Sequence, residues 1–175
     1  ENCTRIENDT LIMNCVSTGL LYKTPIDTTK RIEVSVEARV RSAHNSQTYK
    51  YWVGLALNSN VRDDTNYVEA AITHDIVPFE VGKPVAALLA DSGNPCCEAY
   101  DLETDAWETW HTLKIIYENN RAQVIVDNYT FETEIVLQNP TTLEILCVAV
   151  NPNTPGSVDI AECHFRNLEM NMDFL

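Results

Sequence analysis

Hydrophobic and polar positions alternate along most of this chain with a period of two, which is the signature of strands that bury one face. The clearest run spans Ile32 to Val40. Ile32, Val34, Val36, Ala38 and Val40 fall on one face, and Glu33, Ser35, Glu37 and Arg39 on the other. Tyr49 to Leu57 repeats the pattern with Tyr51, Val53, Leu55 and Leu57. Its second face carries Trp52, Gly54 and Ala56, so this strand is expected to be covered on both sides. Tyr67 to Thr73 and Val85 to Ala90 are further short apolar runs.

In the second half, Leu113, Ile115 and Tyr117 alternate with Thr112 and Lys114. Glu118-Asn-Asn-Arg121 then predicts a hairpin turn into Ala122, Val124 and Val126. Asp127-Asn128 predicts a second turn, followed by Tyr129, Phe131 and Thr133 alternating with Thr130, Glu132 and Glu134. Leu143 to Val150 is apolar on both faces and reads as a central strand. The last strand runs from Ser157 towards Met170, with shifts of phase between Ile160 and Cys163 and after Phe165 that predict bulges. No segment carries a sustained 3.6-residue stripe, and the prolines fall between the runs. About a dozen short strands, without repeat or linker, predict one all-β domain over residues 1–175, a sandwich or barrel.

A chain of 175 residues has the size of one core. Its net charge of −14 repels phosphate backbones and anionic bilayers, which argues against nucleic acid and membrane partners. No apolar run approaches the ~18 residues of a membrane span. Glu1-Asn-Cys3 shows neither a basic nor an apolar leader, so an exported protein is expected to have shed its signal segment.

Six cysteines without zinc-type spacing point to disulfides and hence to a secreted or cell-surface location. Cys3 and Cys15 are expected to bridge an N-terminal hairpin, and Cys147 to reach Cys163 from a neighbouring strand. The adjacent Cys96 and Cys97 then either take separate partners or close on each other in the turn after Pro95. A vicinal bond there would stiffen a loop and mark it as a functional surface.

The order of the segments resembles the concanavalin A-like lectin and glucanase superfamily, particularly laminin-G-like and 3-keto-disaccharide-hydrolase-like sandwiches. The resemblance is carried by Arg31-Ile-Glu-Val-Ser-Val-Glu-Ala-Arg-Val40, then Tyr51-Trp-Val-Gly-Leu-Ala-Leu57 and Asn66-Tyr-Val-Glu-Ala-Ala-Ile72. Trp110-His-Thr-Leu-Lys-Ile115 and Ala122-Gln-Val-Ile-Val-Asp-Asn128 follow as a hairpin. Gly156-Ser-Val-Asp-Ile160 and His164-Phe-Arg-Asn-Leu168 close the series. The chain departs from the pattern in its five glycines and six cysteines. The resemblance implies a two-sheet antiparallel jelly-roll sandwich and leaves function open among lectins, glycosidases and adhesive modules.

Laminarinase-like members place Glu, Asp and Glu on alternate positions of one strand, so that two carboxyls stand about 5 Å apart. Glu33, Ser35 and Glu37 copy the spacing without the central acid and read as a solvated strand face. No nucleophile elbow accompanies His44, His74, His111 or His164. Sugar binding uses an aromatic plate beside polar groups. Tyr100, Trp107 and Asp105, with Trp52, are the candidates; Trp107 is expected to be exposed and Trp110 to lie in the core. Asp101, Glu103 and Asp105 form a candidate calcium loop, whose plainer reading is a solvated acidic stretch; no other cofactor is expected. The reading that follows is a secreted, non-catalytic module binding a glycan. A laminin-G-type module binding an extracellular protein, and a glycosidase with an unrecognised site, are the alternatives.

Overall fold

The computed structural model describes residues 3–14, 17–41, 50–58, 66–73, 84–91, 95–103, 106–150 and 161–175. The alternating segments form the strands β1 (Thr4–Glu7), β2 (Thr10–Met13), β3 (Ser17–Ile26), β4 (Ile32–Arg41), β5 (Lys50–Asn58), β6 (Tyr67–Thr73) and β7 (Val85–Asp91). They continue as β8 (Pro95–Asp101), β9 (His111–Glu118), β10 (Arg121–Val126), β11 (Tyr129–Glu134), β12 (Thr141–Val150) and β13 (Glu162–Asn171). A short 3-10 turn, Ala106–Glu108, stands between β8 and β9.

Two antiparallel sheets result. Sheet A runs β1-β2-β13-β4-β9-β10-β11, and sheet B runs β3-β12-β5-β6-β7-β8. The all-β, two-sheet expectation holds. Tight hairpins join β1 to β2 and β9 to β10 through Asn8-Asp9 and Asn119-Asn120, all four at positive φ. Asn and Asp tolerate that conformation because their short polar side chains bond locally. Asp127 likewise turns at φ 51°. The bulge expected after Phe165 lies between Arg166 and Glu169, with Asn167 at φ 54°. The earlier phase shift, near Ile160, lies outside the described residues. Edge strands β1 and β11 carry Arg5, Glu7, Glu132 and Glu134, charges that discourage further pairing.

The core fills the space between the sheets. Val34, Val36 and Ala38 of β4 and Leu113 and Ile115 of β9 meet Val53, Leu55 and Leu57 of β5 and Leu143 of β12. β12 lies inside sheet B, as its two apolar faces predicted. Cys147 of β12 and Cys163 of β13 form the expected disulfide, with a Cα–Cα distance of 6.0 Å. Both residues are fully buried and sit in different sheets, so the bond staples the sandwich through its core. Replacing both cysteines by alanine is expected to destabilise the fold by about 3 kcal/mol, through the ~16-residue loop that it frees. Urea denaturation of the double variant measures this, and an unchanged midpoint would contradict it.

Cys3 is disulfide-bonded too. Its carbonyl accepts from the Asn14 amide at 3.0 Å, which brings the chain beside Cys3 to within one residue of Cys15. Cys15 itself lies outside the described residues. Cys96 and Cys97 stand within strand β8, opposite Ala90 and Leu89, and not in a turn as expected. Seven residues in ladder register with β7 overrode the turn preference of Pro95. Their side chains lie outside the described set.

Candidate carboxyl site on sheet B

The face of sheet B turned away from sheet A carries a row of small residues among bulkier ones. Gly54 of β5 stands opposite Ala71 of β6, which pairs with Ala87 of β7 and, through it, Ala99 of β8. Ala71, Val85, Ala87 and Leu89 form a second apolar cluster, separate from the main core, against which Trp52, Tyr67 and Ala99 pack. Two carboxyls interrupt this floor. Glu69 of β6 is opposite Ala56, and Glu144 of β12 is opposite the same alanine from the other side. Both are buried.

Three local features place Glu69. Strand alternation sends it outward with Ala71 and Tyr67. The indole Nε1–H of Trp52 donates to Glu69 Oε1 at 2.5 Å. Gly54 leaves room for the carboxyl: a Cβ built there would overlap Glu69 Oε1 and stand 3.1 Å from Trp52 Nε1. Glycine is needed at 54 for this close approach, and not for its backbone freedom.

Burial without a cation drives the electrostatics. Desolvation pushes the Glu69 pKa up to about 8; the Trp52 hydrogen bond opposes it and the neighbouring Glu144 carboxyl reinforces it. Desolvation raises Glu144 as well. Glu69 therefore holds its proton at neutral pH. A protonated carboxyl can donate a hydrogen bond or deliver a proton, which an ordinary glutamate cannot.

Of the residues proposed from sequence, Trp52 alone belongs to this site. Trp107, expected to be exposed, is 2% exposed: the 3-10 turn tucks it into the core, edge-on to Tyr51 at 5.4 Å. Trp110 is the half-exposed one, so the two tryptophans exchange the roles expected of them. Tyr100 is 52% exposed and stacks on Tyr129 at 5.0 Å and Phe131 at 5.5 Å, sealing the gap between edge strands β8 and β11. Asp101 and Glu103 are exposed and Asp105 lies outside the described residues. Among the described residues no three His, Cys, Asp or Glu side chains gather as a metal site. Glu33 and Glu37 stand on the outer face of sheet A, paired with Arg31 and Lys114, and with Arg166 and Asn167.

Sequence reasoning passed over Glu69 and Glu144 because each sits in a run otherwise apolar. The available signal was that isolation: an acid inside a buried strand must be paired or protonated. It also passed over a second constellation. His111 Nδ1 bonds Asp127 Oδ2 at 2.6 Å, and its Nε2 faces Thr109 Oγ1 at 3.1 Å. Burial pushes Asp127 upward, but His111 and the Thr112 amide outweigh it and hold the carboxyl below its usual range. The order Thr-His-Asp is that of a hydrolase relay. Here it ties the segment after the 3-10 turn to the β10–β11 turn.

No family model matches the chain, and no curated protein does. Solved structures match it along nearly its whole length. The carbohydrate recognition domain of Emp47p superposes with a TM-score of 0.67 at 14% identity, covering 97% of this chain and 85% of that one. An alginate lyase from Pseudomonas aeruginosa gives 0.65 at 12% identity, covering 99% and 87%. The fold is a concanavalin A-like jelly roll. A functionally unknown protein from Saccharomyces cerevisiae gives 0.63 at 9% identity, covering 97% and 91%. At these identities the likeness is one of architecture, and the chemistry of this jelly roll rests on its own residues.

Proposed function

We propose that residues 1–175 form one carbohydrate-binding domain of an extracytoplasmic protein, with its site on the outer face of sheet B. The observation that carries this is the partly exposed Trp52 indole, fixed by the protonated Glu69 over Gly54 and beside the apolar cluster of Ala71, Val85, Ala87 and Leu89. A sugar ring offers an apolar face and a polar rim, and an anchored indole next to a carboxylic acid complements both. The names of two structural neighbours, a carbohydrate recognition domain and an alginate lyase, agree with this class of ligand. The buried Cys147–Cys163 bond agrees with an oxidising compartment.

A glycan array read with wild type and with Trp52→Ala tests the proposal. Binding to at least one glycan is expected, with a loss of about tenfold or more on removal of the indole. Absence of binding to every glycan would sink it and favour the laminin-G-type, protein-binding alternative.

A second reading is a glycan-acting enzyme. It is favoured by one observation: two buried carboxyls on the strands either side of β5, one with its pKa pushed up to about 8. Pairs of acids whose environments raise their pKa values supply proton donors to glycosidic chemistry. Release of reducing ends or of unsaturated products from a polysaccharide panel, abolished by Glu69→Gln, would establish it.

A further inference from the structure

The outer face of sheet A carries a different kind of groove. Trp110 immediately precedes β9 there, in line with Thr112 and Lys114, whose side chains also face away from the core. Beside it stand Arg39 of β4 and His164 and Arg166 of β13, strands paired so that His164 is opposite Arg39. The Arg39 guanidinium lies 4.3 Å from the Trp110 ring centre and that of Arg166 lies 3.9 Å from it. Asn8 and Thr10 form the rim, and the hollow has a volume of about 430 Å³. That is the size of a small-ligand site.

The ion pairing around this groove is uneven. Arg166 reaches Glu37 at 3.2 Å, and Glu162 is shared between Arg5 and His164 at 2.9 Å each. Glu7 pairs with Arg5 at 2.7 Å. Arg39 has no carboxylate partner among the described residues. Its Nε and Nη2 both donate to His164 Nδ1 at 3.3 Å. Arginine cannot accept, so His164 Nδ1 is the acceptor and its Nε2–H donates to Glu162. A neutral imidazole is a hydrogen-bond partner for Arg39 and not a counter-ion. Burial, and repulsion from Arg41 and Arg166, outweigh the attraction of Glu108 and pull the Arg39 pKa below its ordinary value. Arg166 Nε is buried and without an acceptor among the described residues. Two guanidiniums are thus held against one indole in a small polar hollow, that of Arg39 with no carboxylate at ion-pair distance among the described residues and that of Arg166 with one N–H unused.

We propose that this groove binds an acidic saccharide, its ring carboxylate or sulfate ester held by Arg39 and Arg166. Guanidinium forks match planar or tetrahedral oxyanions with paired N–H bonds, and stacking on Trp110 pre-organises them. The Asn8 amide and Thr10 hydroxyl supply rim partners for sugar hydroxyls, and the buried Ile12 backs the hollow with an apolar wall. The site lies on the sheet opposite Trp52 and Glu69 and stands or falls separately from them.

The test is a nuclear magnetic resonance titration that follows the Trp110 indole N–H, which is distinct from that of Trp52. The probes are glucuronate, glucose 6-sulfate, glucose and inorganic sulfate. Saturable shifts are expected with one or both charged sugars and not with glucose, and which of the two binds identifies the oxyanion. Arg39→Gln is expected to weaken binding about tenfold or more. Arg39→Lys keeps the charge, loses the fork and is expected to weaken it several-fold, which also serves if the Gln variant misfolds. The exposed Arg31→Gln, paired with Glu33 outside the groove, leaves binding unchanged. Inorganic sulfate binding as tightly as the charged sugars would overturn the saccharide assignment. No saturable shift with either charged sugar, or binding indifferent to both Arg39 variants, would overturn the site.

Discussion

Between about pH 5 and about pH 8 the folded protein is expected to lose on the order of 4 kcal/mol of stability through Glu69 alone. The unfolded chain releases this proton near the ordinary 4.5, whereas the fold holds it until about 8. Below the lower value both states are protonated and the group is neutral to stability. Between the two values the native state binds the extra proton, so stability falls by ~1.4 kcal/mol per pH unit and levels off above the upper value. Glu144, raised by burial, adds a slope of the same sign. The carboxylates held low by hydrogen bonds and cations, Asp27, Glu33, Glu37, Asp127 and Glu162, act in the other direction and in another window. Their contribution is lost only as pH falls below about 4.5. Glu69→Gln keeps an acceptor for the Trp52 indole and removes the titration. Urea denaturation of parent and variant across this range should give a steep line and a much flatter one. Parallel lines would show that Glu69 is not held protonated, and with it the proposed donor on sheet B would go.

That site illustrates which parts of the molecule could be read from the chain. Strand β4 was legible in full because five apolar residues alternate with four polar ones, and only one register satisfies both faces. β6 was legible to the residue, Tyr67 to Thr73. The chemistry within it was not, because its acid lies among Val68, Ala70 and Ala71 and reads as part of an apolar run. What makes Glu69 special comes from β5: an indole donor and a glycine that leaves space, both aligned by a pairing that periodicity cannot specify. The Cys147–Cys163 bond was legible because both cysteines stand in the apolar phase of their strands. Cys96 and Cys97 were misplaced because the local signal of Pro95 pointed to a turn, and pairing with β7 decided otherwise. The Arg39–Trp110–Arg166 stack joins residues far apart in sequence, and no local pattern announces it. One clue was present: continuing the outward phase of Lys114 and Thr112 by two positions reaches Trp110.

The exchange of roles between Trp107 and Trp110 has a large thermodynamic consequence. Trp107→Ala is expected to destabilise the protein by about 3–5 kcal/mol, the range for emptying a fully buried large aromatic site. For a chain of this size that corresponds to roughly 10 °C in Tm. The neighbours Ala106, Glu108 and Thr109 suggest a solvated tryptophan, but a single 3-10 turn reverses the side chain into the sandwich. There it meets Tyr51 and joins the core against β4. The cavity left by alanine cannot collapse easily, since β4 and β5 are held on both sides by their own sheets. Trp110→Ala removes two cation–π contacts at a half-exposed position and is expected to cost much less. Thermal denaturation of the two variants side by side decides the matter, and glycan binding by a still-folded Trp107→Ala protein is expected to match that of the parent. A small change in Tm for Trp107→Ala together with lost binding would return Trp107 to the surface and make it the ligand plate that its sequence neighbours suggested.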